Sequence, residues 1–129
     1  MMADRPGSLP LPAAAAGTVR LGDLTVNRMG FGAMRVCGPD IWGPPQDRAA
    51  AHRVLRRAFE LGCNFFDTAE VYGPLTNEAL LGRALSDRRN QVIIATKFGF
   101  RVKDGKQVGV ERASRPEDIR AAVEGSLVR

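Results

Sequence analysis

The chain predicts an α/β fold with parallel strands. Short apolar runs rich in β-branched and aromatic residues alternate with stretches whose apolar residues recur at helical spacing, and glycine, proline and aspartate punctuate the joins. The length supports one domain, since domains commonly run ~100 to 150 residues. Apolar residues make up 44% of the chain and charged residues 26%, an ordinary soluble composition that excludes a disordered or fibrous protein.

Residues 1–17 are expected to be a flexible tail. Pro10 and Pro12 interrupt the apolar stretch, and no basic segment precedes a long apolar run, so a signal peptide is not predicted. Two short β-prone runs, 18–21 and 24–27, flank Gly22-Asp23 and predict a hairpin. Residues 29–34 (MGFGAM) predict a buried first strand whose glycines allow close backbone approach. The loop 38–46 holds three prolines and ends at Asp47, an N-cap for a helix with Ala51, Val54, Leu55, Ala58 and Leu61 on its apolar face and Gly62 as its stop.

Residues 64–68 (NFFDT) predict a second buried strand that delivers an acid at its C-terminal end, and 77–85 a short helix with Leu80, Leu81, Ala84 and Leu85 on one face. The third strand, 92–96 (VIIAT), is apolar and β-branched and leads into Lys97. Residues 101–112 are polar and contain glycine, which predicts a long loop. Ser114 and Glu117 form a capping box with Pro116 in the first turn, and Ile119, Ala122, Val123 and Leu127 make the stripe of a third helix.

Charge and cysteine content narrow the function. The net charge is +5, carried by sixteen arginines and three lysines, but the arginines are spread along the chain among acids and no binding motif accompanies them, so no nucleic-acid partner is expected. No segment reaches the ~20 apolar residues of a membrane span, and no membrane partner is expected. Cys37 and Cys63 lie outside any metal-ligand spacing, which predicts no metal, reduced thiols and a cytoplasmic location.

Two strand ends carry the chemistry. Asp67, followed by Glu70 and Tyr72, and Lys97 after the third strand should converge at the C-terminal ends of parallel strands, where such sheets place their sites. An acid, a phenol and an ammonium together can run proton transfer, because a nearby cation favours the phenolate and lowers the phenol pKa. Each residue alone has a plainer reading: a solvated lysine, a turn aspartate, a rim tyrosine. Their joint pattern favours chemistry.

The segments FFDTAEVYGP (65–74), TNEALLGRAL (76–85) and VIIATKFGF (92–100) resemble the aldo-keto reductase signature, supported by GFGAM (30–34) and SRPEDIRAAVEGSL (114–127). The resemblance runs from Leu21 onward, with some likeness to pyridoxal reductases around residues 38–48. It implies the N-terminal part of a (β/α)8 barrel preceded by a β-hairpin, with residues 18–129 as a partial domain and the barrel incomplete. It further implies reduction of aldehydes or ketones to alcohols with NADPH, the substrate being a small carbonyl compound.

By the same resemblance Asp67, Tyr72 and Lys97 are three members of a catalytic tetrad. Gly32, Ala33, Met34 and Asp67 would lie near the nicotinamide and its ribose, with Trp42 and Tyr72 at the substrate mouth. MGFGAM itself is no dinucleotide fingerprint, lacking a third glycine and an immediate helix. The tetrad histidine and the loops that grip the adenosine phosphate are expected beyond Arg129. The only histidine, His52, is expected to be a solvated helix residue. Two readings stay open: a working reductase whose remaining part lies elsewhere, or an inactive remnant or interaction fragment that self-associates through open barrel edges.

Overall fold

The computed structural model describes residues 9–104 and 106–129. Strands β1 (Thr18–Leu21) and β2 (Leu24–Asn27) form the expected hairpin, paired antiparallel from Thr18 opposite Asn27 to Leu21 opposite Leu24. Val26 is its buried side chain. The Asn27 N–H donates to Asn64 Oδ1 at 2.8 Å, and Asn27 Nδ2 donates to the Gly62 carbonyl at 2.6 Å. These bonds fasten the hairpin to the segment that enters β4 (Phe65–Asp67), at the end of the sheet opposite Asp67.

The expectation of a flexible tail over residues 1–17 is corrected for the part that is described. Ala13 is buried in the core cluster, its N–H donates to the Leu61 carbonyl at 2.9 Å, and Ala14–Ala16 form a 3-10 turn. The physical reason is size: a methyl side chain fits against the turn that ends α1 (Arg48–Glu60), and Leu11 packs over Gly62. Residues 1–8 of the expected tail lie outside the described residues.

The central sheet is parallel and three-stranded, in the order β3 (Phe31–Gly32), β4, β5 (Ile93–Ala95). Phe31 and Gly32 lie opposite Phe66 and Asp67; Phe65, Phe66 and Asp67 lie opposite Ile93, Ile94 and Ala95. β3 is shorter than the predicted 29–34 run because Ala33–Arg35 turn into a 3-10 helix. The close approach expected at the glycines is real at Gly30, where an added Cβ would sit 3.0 Å from the Phe65 ring and carbonyl.

Helix α1 begins at the predicted cap: Asp47 Oδ1 accepts the Ala50 N–H at 2.8 Å, and Ala51, Leu55 and Ala58 are buried at helical spacing. Asp47→Ala should lower stability by about 0.5–2 kcal/mol, read as a fall in denaturant midpoint with unchanged slope. Helix α2 (Thr76–Leu85) follows Leu75, whose φ of 66° marks an abrupt entry, and it buries Leu81, Ala84 and Leu85 together with Asn77 and Glu78. The core joins Leu55 of α1, Phe66 of β4, and Leu81 and Leu85 of α2, with Ala33, Cys63 and Val92 at its margins.

Two further expectations are corrected. Residues 101–112 are not a long loop: β6 (Gly99–Lys103) and β7 (Lys106–Ala113) pair antiparallel, from Gly99 opposite Ala113 to Lys103 opposite Lys106. Asp104-Gly105 is a hairpin-forming pair in the sequence, and Asp104 adopts φ of 51°, the left-handed conformation such turns need. At α3 (Pro116–Val128) the capping box is shifted by one residue. Pro116 takes the first helical position, so Arg115 is the N-cap and its N–H donates to Asp118 Oδ2 at 3.3 Å, in place of the expected Ser114 and Glu117. Of the α3 stripe Ala122 is buried, while Val123 and Leu127 are exposed.

Candidate active site

Parallel register carries the chemistry to one end of the sheet. Asp67 closes β4 opposite Ala95, and Lys97 follows two residues beyond β5, so both side chains leave the same end. Tyr72 stands on the loop after β4, which is folded into nested turns: the Tyr72 N–H donates to the Ala69 carbonyl, the Leu75 N–H to that of Glu70 and the Asn77 N–H to that of Tyr72. Gly73 has φ of 93°, and a Cβ there would lie 1.9 Å from Thr76 Oγ1, so the chain after Tyr72 turns directly into α2 only with glycine at this position.

The three side chains meet. Lys97 Nζ donates to Asp67 Oδ1 at 2.6 Å, to the Thr68 carbonyl at 2.9 Å and to Tyr72 Oη at 3.3 Å, giving its three N–H groups three acceptors. The ammonium also lies 5.0 Å from the centre of the Tyr72 ring. Partial burial pushes the Lys97 pKa down, but the hydrogen bonds to Asp67 and Tyr72 and the charges of both outweigh it, and the net shift is upward from 10.5. A raised lysine pKa contributes stability that is complete below the ordinary value and lost as pH rises through the folded value. Wild type should therefore lose thermal stability relative to Lys97→Met only above about pH 10, which paired melting curves across that range would check.

A cavity of about 100 Å³ opens beside the ammonium, lined by Ala69, Glu70, Val71, Tyr72, Lys97 and Phe98. Burial pushes the Glu70 carboxyl up, against the pull of Arg129, and the Glu78 charge adds to the rise. Gly32 pairs with Asp67 across the sheet and has open space where a side chain would stand. Met34, two residues further along, is 38% exposed and lines a hollow with Arg35, Cys37 and Pro39, whereas Ala33 is fully buried and presents no surface. Trp42 is exposed and bridges to Gly73 through backbone pairing, with Gly43 N–H donating to the Gly73 carbonyl and Gly73 N–H to that of Ile41. This sets the Trp42 loop against the loop that carries Tyr72.

Sequence reasoning missed Thr68, Asn77 and Glu78, all buried. Asn77 Oδ1 accepts Thr68 Oγ1–H at 2.7 Å, and Asn77 Nδ2 donates to the carbonyls of Ala33 and Val36, each at 2.9 Å. Glu78 Oε1 accepts from Thr96 Oγ1 at 2.5 Å and Ser126 Oγ at 2.8 Å, and Oε2 from Arg129 Nε at 2.6 Å. The available signal was a pair of polar residues in the first turn of a helix otherwise read for its apolar face. Burial raises the Cys37 thiol pKa against the opposing hydrogen bond from Asn77, which disfavours the reactive thiolate. His52 is exposed on α1, away from this cluster. Among the described residues no helix is long and apolar enough to cross a membrane, and no group of three or more His, Cys, Asp and Glu could hold a metal ion.

Comparison with known proteins bears on this arrangement. An uncharacterized oxidoreductase of Schizosaccharomyces pombe is 50% identical over 99 residues, covering 77% of this chain and 32% of that protein. Pyridoxine 4-dehydrogenase of Escherichia coli is 38% identical over 113 residues, covering 88% of this chain and 39% of that protein. The solved glycerol dehydrogenase AKR11B4 of Gluconobacter oxydans superposes with a TM-score of 0.72 at 37% identity, covering 88% of this chain and 36% of that one. The chain thus spans about a third to two fifths of the length of the relatives it matches. The sequence profile of the aldo/keto reductase family fits residues 28–129, a range that takes in β3 to α3 and every residue of the Asp67–Tyr72–Lys97 cluster. Because that profile fits most of the chain, the chain belongs to the aldo/keto reductase family.

Proposed function

We propose that this chain supplies the N-terminal strands and part of the catalytic apparatus of a (β/α)8-barrel carbonyl reductase that converts aldehydes or ketones to alcohols with NADPH. The observation that carries the reading is the Lys97 ammonium, hydrogen-bonded to both Asp67 and Tyr72 at the C-terminal end of the sheet.

In this reading Tyr72 is the general acid. Its hydroxyl donates a proton to the carbonyl oxygen as negative charge develops there, and the ammonium 3.3 Å from Tyr72 Oη stabilises the charge left on the phenol oxygen. Asp67 holds Lys97 charged and in place through its 2.6 Å bond. When bound, NADPH supplies the hydride. The residues present fit a flat ligand: Gly32 offers open space next to Asp67, and Met34 follows two residues later with an exposed side chain. Gly32, Met34 and Asp67 would hold the nicotinamide and ribose, with Ala33 wholly buried behind them and its carbonyl taken by Asn77. Trp42 would border the carbonyl substrate beside Tyr72.

The protein in its full length should oxidise NADPH in the presence of a panel of small aldehydes and ketones, followed by loss of the reduced nicotinamide absorbance. Absence of carbonyl-dependent oxidation across the panel would overturn the proposal. A second reading, self-association of the 129-residue chain with another copy, draws support from the edge position of β5 and the exposure of Val123 and Leu127 on α3. Sedimentation of the chain as a compact monomer at all concentrations would dispose of it.

A further inference from the structure

The strands that present Asp67 and Lys97 are short, so their backbone ladder does little to fix the side chains beyond it. β4 and β5 each have three residues, and the last backbone bond between them is from the Thr68 N–H to the Ala95 carbonyl at 2.9 Å. Thr96 and Lys97 run on past the ladder. What replaces it comes from the first turn of α2.

We propose that Asn77 and Glu78 are positioning residues: side by side on α2, they hold Thr68 and Thr96, the chain neighbours of Asp67 and Lys97, and so set the spacing of the Asp67–Tyr72–Lys97 cluster. Asn77 fixes the β4 side by accepting from Thr68, and its amide ties that point to the Ala33 and Val36 carbonyls of the turn after β3. Glu78 fixes the β5 side by accepting from Thr96. One rigid helical turn thus spans the ends of three strands. The same turn is set directly by the Tyr72 loop, since the Asn77 N–H donates to the Tyr72 carbonyl at 3.2 Å.

Packing alone does not account for these two residues. Asn77 and Glu78 are 2% and 5% exposed, and burying an amide and a carboxylate is costly where apolar side chains of similar volume would serve a core equally well. Each is fully engaged: Asn77 reaches Thr68 at the end of β4 and the carbonyls of the turn after β3, and Glu78 reaches Thr96 just past β5 while its other contacts, Ser126 and Arg129, tie the same carboxylate to the end of α3. Supporting contacts of this kind matter because misplacement of reacting groups by about 1 Å can cost on the order of 100-fold in rate.

This inference rests on the proposed catalytic reading, and its test separates the two. In the full-length protein Thr96→Val removes the hydroxyl that Glu78 holds, while Thr96→Ser keeps it. Thr96→Val should lower kcat roughly 10- to 100-fold with KM for carbonyl and for NADPH within about twofold, and Thr96→Ser should restore kcat. The Lys97 Nζ titration, followed by NMR of 15N-labelled lysine, should shift to lower pH in Thr96→Val as its grip on Asp67 and Tyr72 loosens, and return in Thr96→Ser. Wild-type kcat together with an unmoved Lys97 titration in Thr96→Val would overturn the proposal. So would equal losses in the valine and serine variants that track only the folded fraction. If Tyr72→Phe retains full turnover, the catalytic reading fails instead, and the Lys97 titration alone decides whether the α2 pair positions the lysine.

Discussion

Tyr72→Phe in the full-length protein should lower carbonyl turnover by roughly 10²- to 10⁴-fold, the range a positioned general acid contributes, while NADPH affinity stays unchanged. The substitution removes one oxygen and leaves the ring that stacks near the Lys97 ammonium. Lys97 keeps its bonds to Asp67 and the Thr68 carbonyl, so the local structure has no cause to collapse. The loss should fall on kcat, because the phenol acts on charge that develops only during reaction. Stopped-flow or steady-state turnover paired with a cofactor titration checks both halves. Undiminished turnover would remove Tyr72 from the chemistry and leave the cluster as a structural ion pair.

Phe66→Ala should cost about 3–5 kcal/mol of stability, the range for emptying a buried aromatic site. Phe66 lies on the middle strand of the parallel sheet with none of its surface exposed, opposite Ile94 on one side and Phe31 on the other, its ring 5.9 Å from that of Phe31. Neither neighbouring strand can close the gap without breaking its own pairing. Domains are commonly stable by only about 5–15 kcal/mol, so the variant should be partly unfolded at modest denaturant concentrations. Equilibrium unfolding by urea would read the effect, and a loss below about 1 kcal/mol would show that the core is not organised around this ring. Because Asp67 is the next residue, the site should suffer with it.

The parts of the fold legible in the sequence are those whose information is local. The β1–β2 hairpin, the Asp47 cap and the strand ending in Asp67 follow from turn pairs, caps and apolar runs, and each stands where those features put it. The β6–β7 hairpin was lost because its glycines and charged residues read as a loop, although Phe100 and Val102, and Val108 and Val110, recur at the strand period on either side of Asp104-Gly105. The docking of Ala13 under Leu61 was illegible for a related reason: an alanine-rich string says nothing of which distant turn it will cover. At the site, Asp67, Tyr72 and Lys97 were legible as residues that end strands or follow them. Thr68, Asn77 and Glu78 were not, since hydrogen bonds between residues 9 to 44 apart leave no periodic trace.

The three acceptors around the Lys97 nitrogen have a consequence for what position 97 can be. Asp67 Oδ1, the Thr68 carbonyl and Tyr72 Oη converge on one atom from three directions, a demand that a tetrahedral ammonium meets and a flat guanidinium, with its donors spread over a plane, does not. A chain with arginine here would carry the same charge into the same neighbourhood and still leave an acceptor stranded. The pocket therefore selects a shape of cation, and sequences drifting through neutral exchange of basic residues elsewhere on this arginine-rich surface are not free to do so at this one lysine.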